Sequence, residues 1–245
     1  MKALFLALFP ALALAQGANV QMCAGCHGAQ GDGNAKVGAP AIAGQPKAYL
    51  ERQLAAYADG RREQQVMSPI AKGLAPEQRS ALAEHYAALK PAARKTQRSA
   101  AAGSSNANRA HALATRGDEA KELQACQNCH GPGGTGFGDI NPYLAGLDAR
   151  YLEASLAEWR SGTRKTDASG QMTRIAKRLS DADVRALAAY YAQQPMPQPR
   201  RAIEPRRASQ GERTQPGAGG EPRKGSGVTG EDPSGSQGPG GAGTK

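Results

Sequence analysis

At 245 residues the chain fits one or two domains, and 39% apolar content with a single Trp is thin for one large core. No run reaches the roughly 18 to 20 apolar residues that a membrane span needs, so a large single α/β enzyme and a multispan membrane protein are both excluded. The formal charge of +10 lies mostly in residues 91–114 (+4) and 195–245 (+3), while 16–90 carry +2 and 115–194 are neutral; without a compact basic stripe interleaved with aromatics, the pattern predicts no nucleic-acid partner.

The chain opens with Met1-Lys2, an almost wholly apolar run from Ala3 to Ala15, and a polar stretch from Gln16. Ala13-Leu14-Ala15 fits a small-x-small cleavage site, so residues 1–15 read as a secretory signal peptide and the mature protein is expected to start near Gln16, outside the cytoplasm. A retained anchor is the alternative, disfavoured because the run is short and interrupted by Pro10.

Two copies of one unit follow. Cys23-Ala-Gly-Cys26-His27-Gly28 recurs as Cys126-Gln-Asn-Cys129-His130-Gly131, and Pro40-Ala-Ile-Ala-Gly44 recurs as Pro142-Tyr-Leu-Ala-Gly146. Tyr49-Leu50 with Leu54 and Tyr57 matches Tyr151-Leu152 with Leu156 and Trp159. Met67-x-x-Ile70 matches Met172-x-x-Ile175, and Leu82-Ala-x-x-Tyr86 matches Leu187-Ala-x-x-Tyr191. The order is constant and the offset stays between 102 and 105 residues, which marks a tandem duplication.

Each unit reads as short helices joined by Gly/Pro loops. Pro46 suits a first helical turn, Leu50, Leu54 and Tyr57 share a face, and Gly60 suits a left-handed stop. The matching helix opens at the N-cap Asp148 and ends by Gly162. Closing helices start near Pro76 and, through a capping box of Ser180 with Asp183, near residue 181. No alternating strand pattern appears, so the fold is expected to be all-α: domain 1 over 16–90, a basic linker over 91–114, domain 2 over 115–194, and a disordered Gly/Pro-rich tail over 195–245.

All four cysteines fall in the two Cys-x-x-Cys-His motifs. Zinc sites gather ligands more closely and leave the histidines idle. A thioredoxin-like motif wants a βαβ context, and a disulfide across two residues constrains little. Covalent c-type haem accounts for every residue: Cys23, Cys26, Cys126 and Cys129 add to haem vinyl groups, and His27 and His130 ligate iron. Of five methionines, Met67 and Met172 lie 40 and 42 residues beyond their histidines at equivalent repeat positions, and are the candidate sixth ligands. The others lie in the signal (Met1), beside a motif cysteine (Met22) or in the tail (Met196).

With these motifs the sequence resembles the di-haem class I cytochromes c, and most closely the cytochrome c4 family, over 16–90 and 115–194. The resemblance implies two covalently bound haems c, and carbonyls at Pro40 and Pro142 that accept the proximal imidazole N–H. It implies propionates facing each other across the domains and one-electron exchange without a catalytic site. The implied role is a periplasmic carrier between respiratory components, delivering towards a terminal oxidase. The alternative is a cytochrome subunit, or a di-haem enzyme, of a dehydrogenase acting on a small sulfur compound. The implied partners are redox proteins, a membrane oxidase or a reductase or dehydrogenase, which leaves room for peripheral membrane association.

The chain departs from the pattern in its tail and in unit one, where seven residues from Gln16 to Met22 precede the first Cys. That is short for a full leading helix, whereas unit two is expected to carry one from about Asp118 through Leu123. The first haem is therefore expected to be the more exposed and the lower in potential. Arg62 and Arg164, equivalent positions after Gly60 and Gly162, are expected as exposed solvated charge, with propionate pairing as the alternative. His85 and His111 are expected as surface or packing residues.

Overall fold

The computed structural model describes residues 15–92 and 105–197. Among them the regular structure is helical, with only isolated bridges between extended residues. Unit one contains α1 (Ala15–His27), α2 (Lys47–Asp59), α3 (Met67–Lys72) and α4 (Pro76–Ala88). Unit two contains α5 (Ser105–Thr115), α6 (Gln127–His130), α7 (Ala149–Ser161), α8 (Gln171–Arg178) and α9 (Asp181–Ala192).

The expected helix ends are where the capping chemistry puts them. Pro46 precedes α2, and Gly60 ends it in a left-handed conformation at φ 80. Asp148 accepts from the Arg150 N–H to cap α7, and Gly162 ends it at φ 79. Ser180 and Asp183 form the reciprocal capping box of α9. In each unit the long middle helix packs against the short Met-bearing helix and the closing helix. Tyr49, Leu50, Leu82 and Tyr86 are central to the first core; Leu113, Leu152, Leu187 and Tyr191 occupy the second.

The recurrent Leu-Ala-x-x-Tyr has a steric reason. A Cβ on Gly31 would lie 2.9 Å from Tyr86, and one on Gly134 would lie 2.6 Å from Tyr191, so each closing tyrosine lies against the loop that follows the Cys-x-x-Cys-His motif. The glycine of Pro-x-x-x-Gly is filled likewise: Pro91 covers Gly44 and Met196 covers Gly146. Met196 is thus a buried core residue, and the fold continues past the point where the sequence reads as tail. The rest of that tail, the signal segment 1–14 and residues 93–104 lie outside the described residues.

The leading helix of unit two is α5, not the 118–123 segment, which is a 3-10 turn closed by an Asp118–Leu123 bridge. Residues 105–114, expected as linker, are therefore helical and bury Ala110, Leu113 and Ala114 against α9. A charge cluster fastens them. Arg109 donates to Asp183 at 2.9 Å and to Asp118 at 2.6 Å, and Lys121 donates to Asp183 at 2.8 Å. Burial pushes the Asp183 carboxyl up, but hydrogen bonds from Arg109, Lys121 and Ser180 outweigh it and hold the group well below the usual carboxylate range. A folded-state value below the unfolded one stabilises fully above the unfolded value of about 3.9, and the gain is lost as pH falls. We expect the melting temperature to drop with pH below about 4. Asp183→Asn should cost about 2 kcal/mol at neutral pH, because both cationic partners are partly exposed, and should flatten that acid slope; an unchanged slope would remove Asp183 as its source.

Candidate functional site

The Cys-x-x-Cys-His motif ends α1 in unit one and forms α6 in unit two. One helical turn thus presents both thiols and carries the His just beyond them. Cys23, Cys126 and Cys129 are half-buried and Cys26 is exposed, and no disulfide joins any of them. The Tyr86 and Tyr191 phenols sit beside Cys23 and Cys126 respectively.

Both histidines are buried. The Nδ1 of His27 lies 2.8 Å from the Pro40 carbonyl oxygen, and that of His130 lies 2.9 Å from Pro142 O. A carbonyl only accepts, so Nδ1 carries the proton and Nε2 keeps its lone pair. Burial lowers both imidazole pKa values, keeping the rings neutral at pH 7, the form that ligates a metal.

Met67 opens α3 and Met172 lies in the first turn of α8. Each is pinned by an upstream side chain: Gln64 Oε1 accepts from the Met67 N–H at 2.6 Å, and Asp167 Oδ2 accepts from the Met172 N–H at 2.5 Å. In unit two, Cys126, Cys129, His130 and Met172 line one cavity of about 370 Å³, closed by Leu152, Leu187 and other apolar side chains. Among its lining residues, Ser155 Oγ and Trp159 Nε1 are buried without a protein partner. Two thiols, an imidazole, a thioether and orphaned buried donors in an otherwise apolar cavity suit an apolar macrocycle with carboxylate substituents. These residues fit haem c.

The two units meet through equivalent positions. Arg62 and Arg164 form an antiparallel backbone bridge, and neither is solvated: they are 3% and 1% exposed. The expectation of surface charge fails because the other unit covers each of them. Arg62 donates to Glu158 and Gln53, both at 3.0 Å, and Arg164 donates to Gln53 at 2.8 Å and to Thr166 at 3.1 Å while stacking on Trp159. Arg164 also lies 3.9 Å from Glu158, so two buried guanidiniums share one carboxylate. Burial pushes the neighbouring Tyr151 phenol up, but Arg62 and Arg164 together draw it down to about 8. A local excess of positive charge suits propionates. His85 and His111, by contrast, are exposed and edge-on to Tyr86 and Tyr190.

A second contact joins the loops beyond the two motifs. Gln45 Nε2 donates to the Tyr143 carbonyl and Gln45 Oε1 accepts from the Tyr143 N–H, both at 3.1 Å, while Tyr143 Oη donates to Ala43 O at 2.9 Å. Sequence reasoning missed Gln45; the sole clue was an amide where the repeat has Leu147.

The cytochrome c family profile matches residues 14–95 and 114–195. A thiosulfate dehydrogenase electron acceptor of Thiomonas intermedia (strain K12) is 42% identical over 174 residues, covering 71% of this chain and 79% of that protein. Cytochrome c4 of Pseudomonas aeruginosa is 31% identical over 175 residues, covering 71% and 84%. Among solved structures, thiosulfate dehydrogenase TsdBA from Marichromatium purpuratum aligns with a TM-score of 0.65 at 40% identity. That alignment spans 71% of this chain but only 36% of the other. Two tandem cytochrome c units, each with a complete attachment motif, carry one covalent haem c apiece and serve electron transfer. The chain belongs to the cytochrome c family and, within it, to the di-haem class I cytochromes of the cytochrome c4 type.

Proposed function

We propose that this cytochrome is the periplasmic electron acceptor of a thiosulfate-oxidising dehydrogenase and passes the electrons on to a respiratory partner without itself oxidising thiosulfate. His27 with Met67, and His130 with Met172, are the axial pairs, the four motif cysteines hold the haems, and Pro40 and Pro142 orient the histidines. The observation that carries this reading is that each repeat supplies a buried His hydrogen-bonded to a proline carbonyl and, 40 or 42 residues on, a Met at the same repeat position; two thioether–imidazole sets would saturate both irons and leave no open position for a substrate. The likeness to a thiosulfate dehydrogenase electron acceptor supports the choice of donor. So does stoichiometry, since joining two thiosulfate ions through a new S–S bond releases two electrons and the chain has two one-electron sites.

The deciding experiment mixes oxidised holoprotein with thiosulfate, with and without a catalytic amount of a thiosulfate dehydrogenase, and follows the reduced haem absorption. Both haems should reduce with the enzyme and neither without it. Consumption of thiosulfate by the cytochrome alone with an artificial acceptor would make it an enzyme and overturn the proposal.

A further inference from the structure

We infer that Gln45 of unit one is a positioning residue for the haem of unit two, lowering its potential through the peptide that orients His130. The inference rests on the axial reading above. The Pro142–Tyr143 peptide is engaged at both ends. Its carbonyl accepts from His130 Nδ1–H at 2.9 Å, and its N–H donates to Gln45 Oε1 at 3.1 Å. The second bond, from Gln45 Nε2 to the Tyr143 carbonyl at 3.1 Å, fixes which way the amide faces. Gln45 is 3% exposed and Tyr143 is 1% exposed, so water does not compete for either bond.

Hydrogen bonds in series polarise one another in a low-dielectric interior. With its N–H donated to Gln45, the peptide carries more negative charge on the Pro142 oxygen and accepts the imidazole proton more strongly. The imidazole gains anionic character, becomes a stronger donor to iron and favours the ferric state; bonds of this kind beyond the ligand are known to tune metal sites. The effect runs one way. The repeat mate of Gln45 is Leu147, which has no polar group to offer the Pro40–Ala41 peptide behind His27. One haem therefore has its potential tuned by the other haem's domain, and the second does not.

The test is redox titration of holoprotein carrying Gln45→Met, which keeps the side-chain volume, beside Tyr143→Phe, which removes the hydroxyl and its bond to Ala43 but keeps the backbone bonds to Gln45. Each wave is assigned with Met67→His and Met172→His. Q45M should raise the potential of the His130 haem alone, shifting the electron partition between the haems about threefold, or about 30 mV at ~59 mV per tenfold for a one-electron couple. Y143F should move neither wave, because the peptide bond to Gln45 survives. A Q45M titration identical to wild type, a shift of both haems together, or an equal shift in Y143F overturns the inference, since the last two outcomes signify looser docking alone. In reduced wild-type protein the His130 Nδ1 proton should resonate downfield of the His27 one, and the reverse order also overturns it. The near-infrared band of Met-ligated ferric haem reports the ligands separately, so its absence in wild type counts against the axial reading, and a flat Q45M titration counts against Gln45.

Discussion

Met172→His should lower the potential of the haem at His130 by roughly a third of the ~0.8 V range that axial ligands command, leaving the haem at His27 near its wild-type value. A thioether is a soft ligand that stabilises ferrous iron, whereas a second imidazole donates more strongly and stabilises the ferric state. Met67→His should do the same to the other wave. The near-infrared band of Met-ligated ferric haem should fall by half in each variant. The pair also ranks the two sites. Cys26 is exposed while its counterpart Cys129 is half-buried, and a wetter edge stabilises the more charged oxidised haem, so the His27 haem should be the lower. If Met172→His removes the lower-potential wave, that ranking is wrong.

Arg164→Leu should destabilise the holoprotein by about 3 kcal/mol, the scale of breaking a buried charge network. With a folded unit of this size that is a fall of roughly 10 °C in melting temperature. The guanidinium is almost wholly buried, and its loss strands Thr166 Oγ1 and one bond of Gln53 while removing the stack on Trp159. It also leaves Glu158 with Arg62 alone and thins the positive charge suited to propionates. Arg178→Leu is the contrast: its pairing with Glu122 joins two exposed side chains and should cost no more than about 0.5 kcal/mol. A melting temperature for Arg164→Leu equal to that of Arg178→Leu would mean that the buried guanidinium does not hold the units together.

What could be read in the sequence was local or repeated. Gly60 and Gly162, Asp148 and the Ser180–Asp183 box each act within a turn of their own helix, and the structure places every one where its chemistry requires. The histidine-to-proline bonds followed from family likeness and are present in both units. What escaped depends on contacts distant in sequence. Helix α5 shows only Ala110, Leu113 and Ala114 as an apolar face, a weak signal within a basic stretch, and its anchoring ion pair joins Arg109 to Asp183, 74 residues away. Arg62 and Arg164 sit just after helix-ending glycines, normally a solvated place, and are buried between side chains of both units. Met196 reads as part of a Pro-rich tail because nothing local reveals that Gly146, 50 residues earlier, leaves room for it.

The bridge between Arg62 and Arg164 joins the same position of two copies, which is how the subunits of a two-fold homodimer touch. In such a dimer every substitution appears twice, and the two ends stay identical. Joined in one chain, the halves are free to differ, and here they do: Glu158 stands opposite the repeat position held by Ala56, and Gln45 opposite Leu147. The symmetric contact thereby loses its two-fold equivalence, and its two ends become chemically distinguishable.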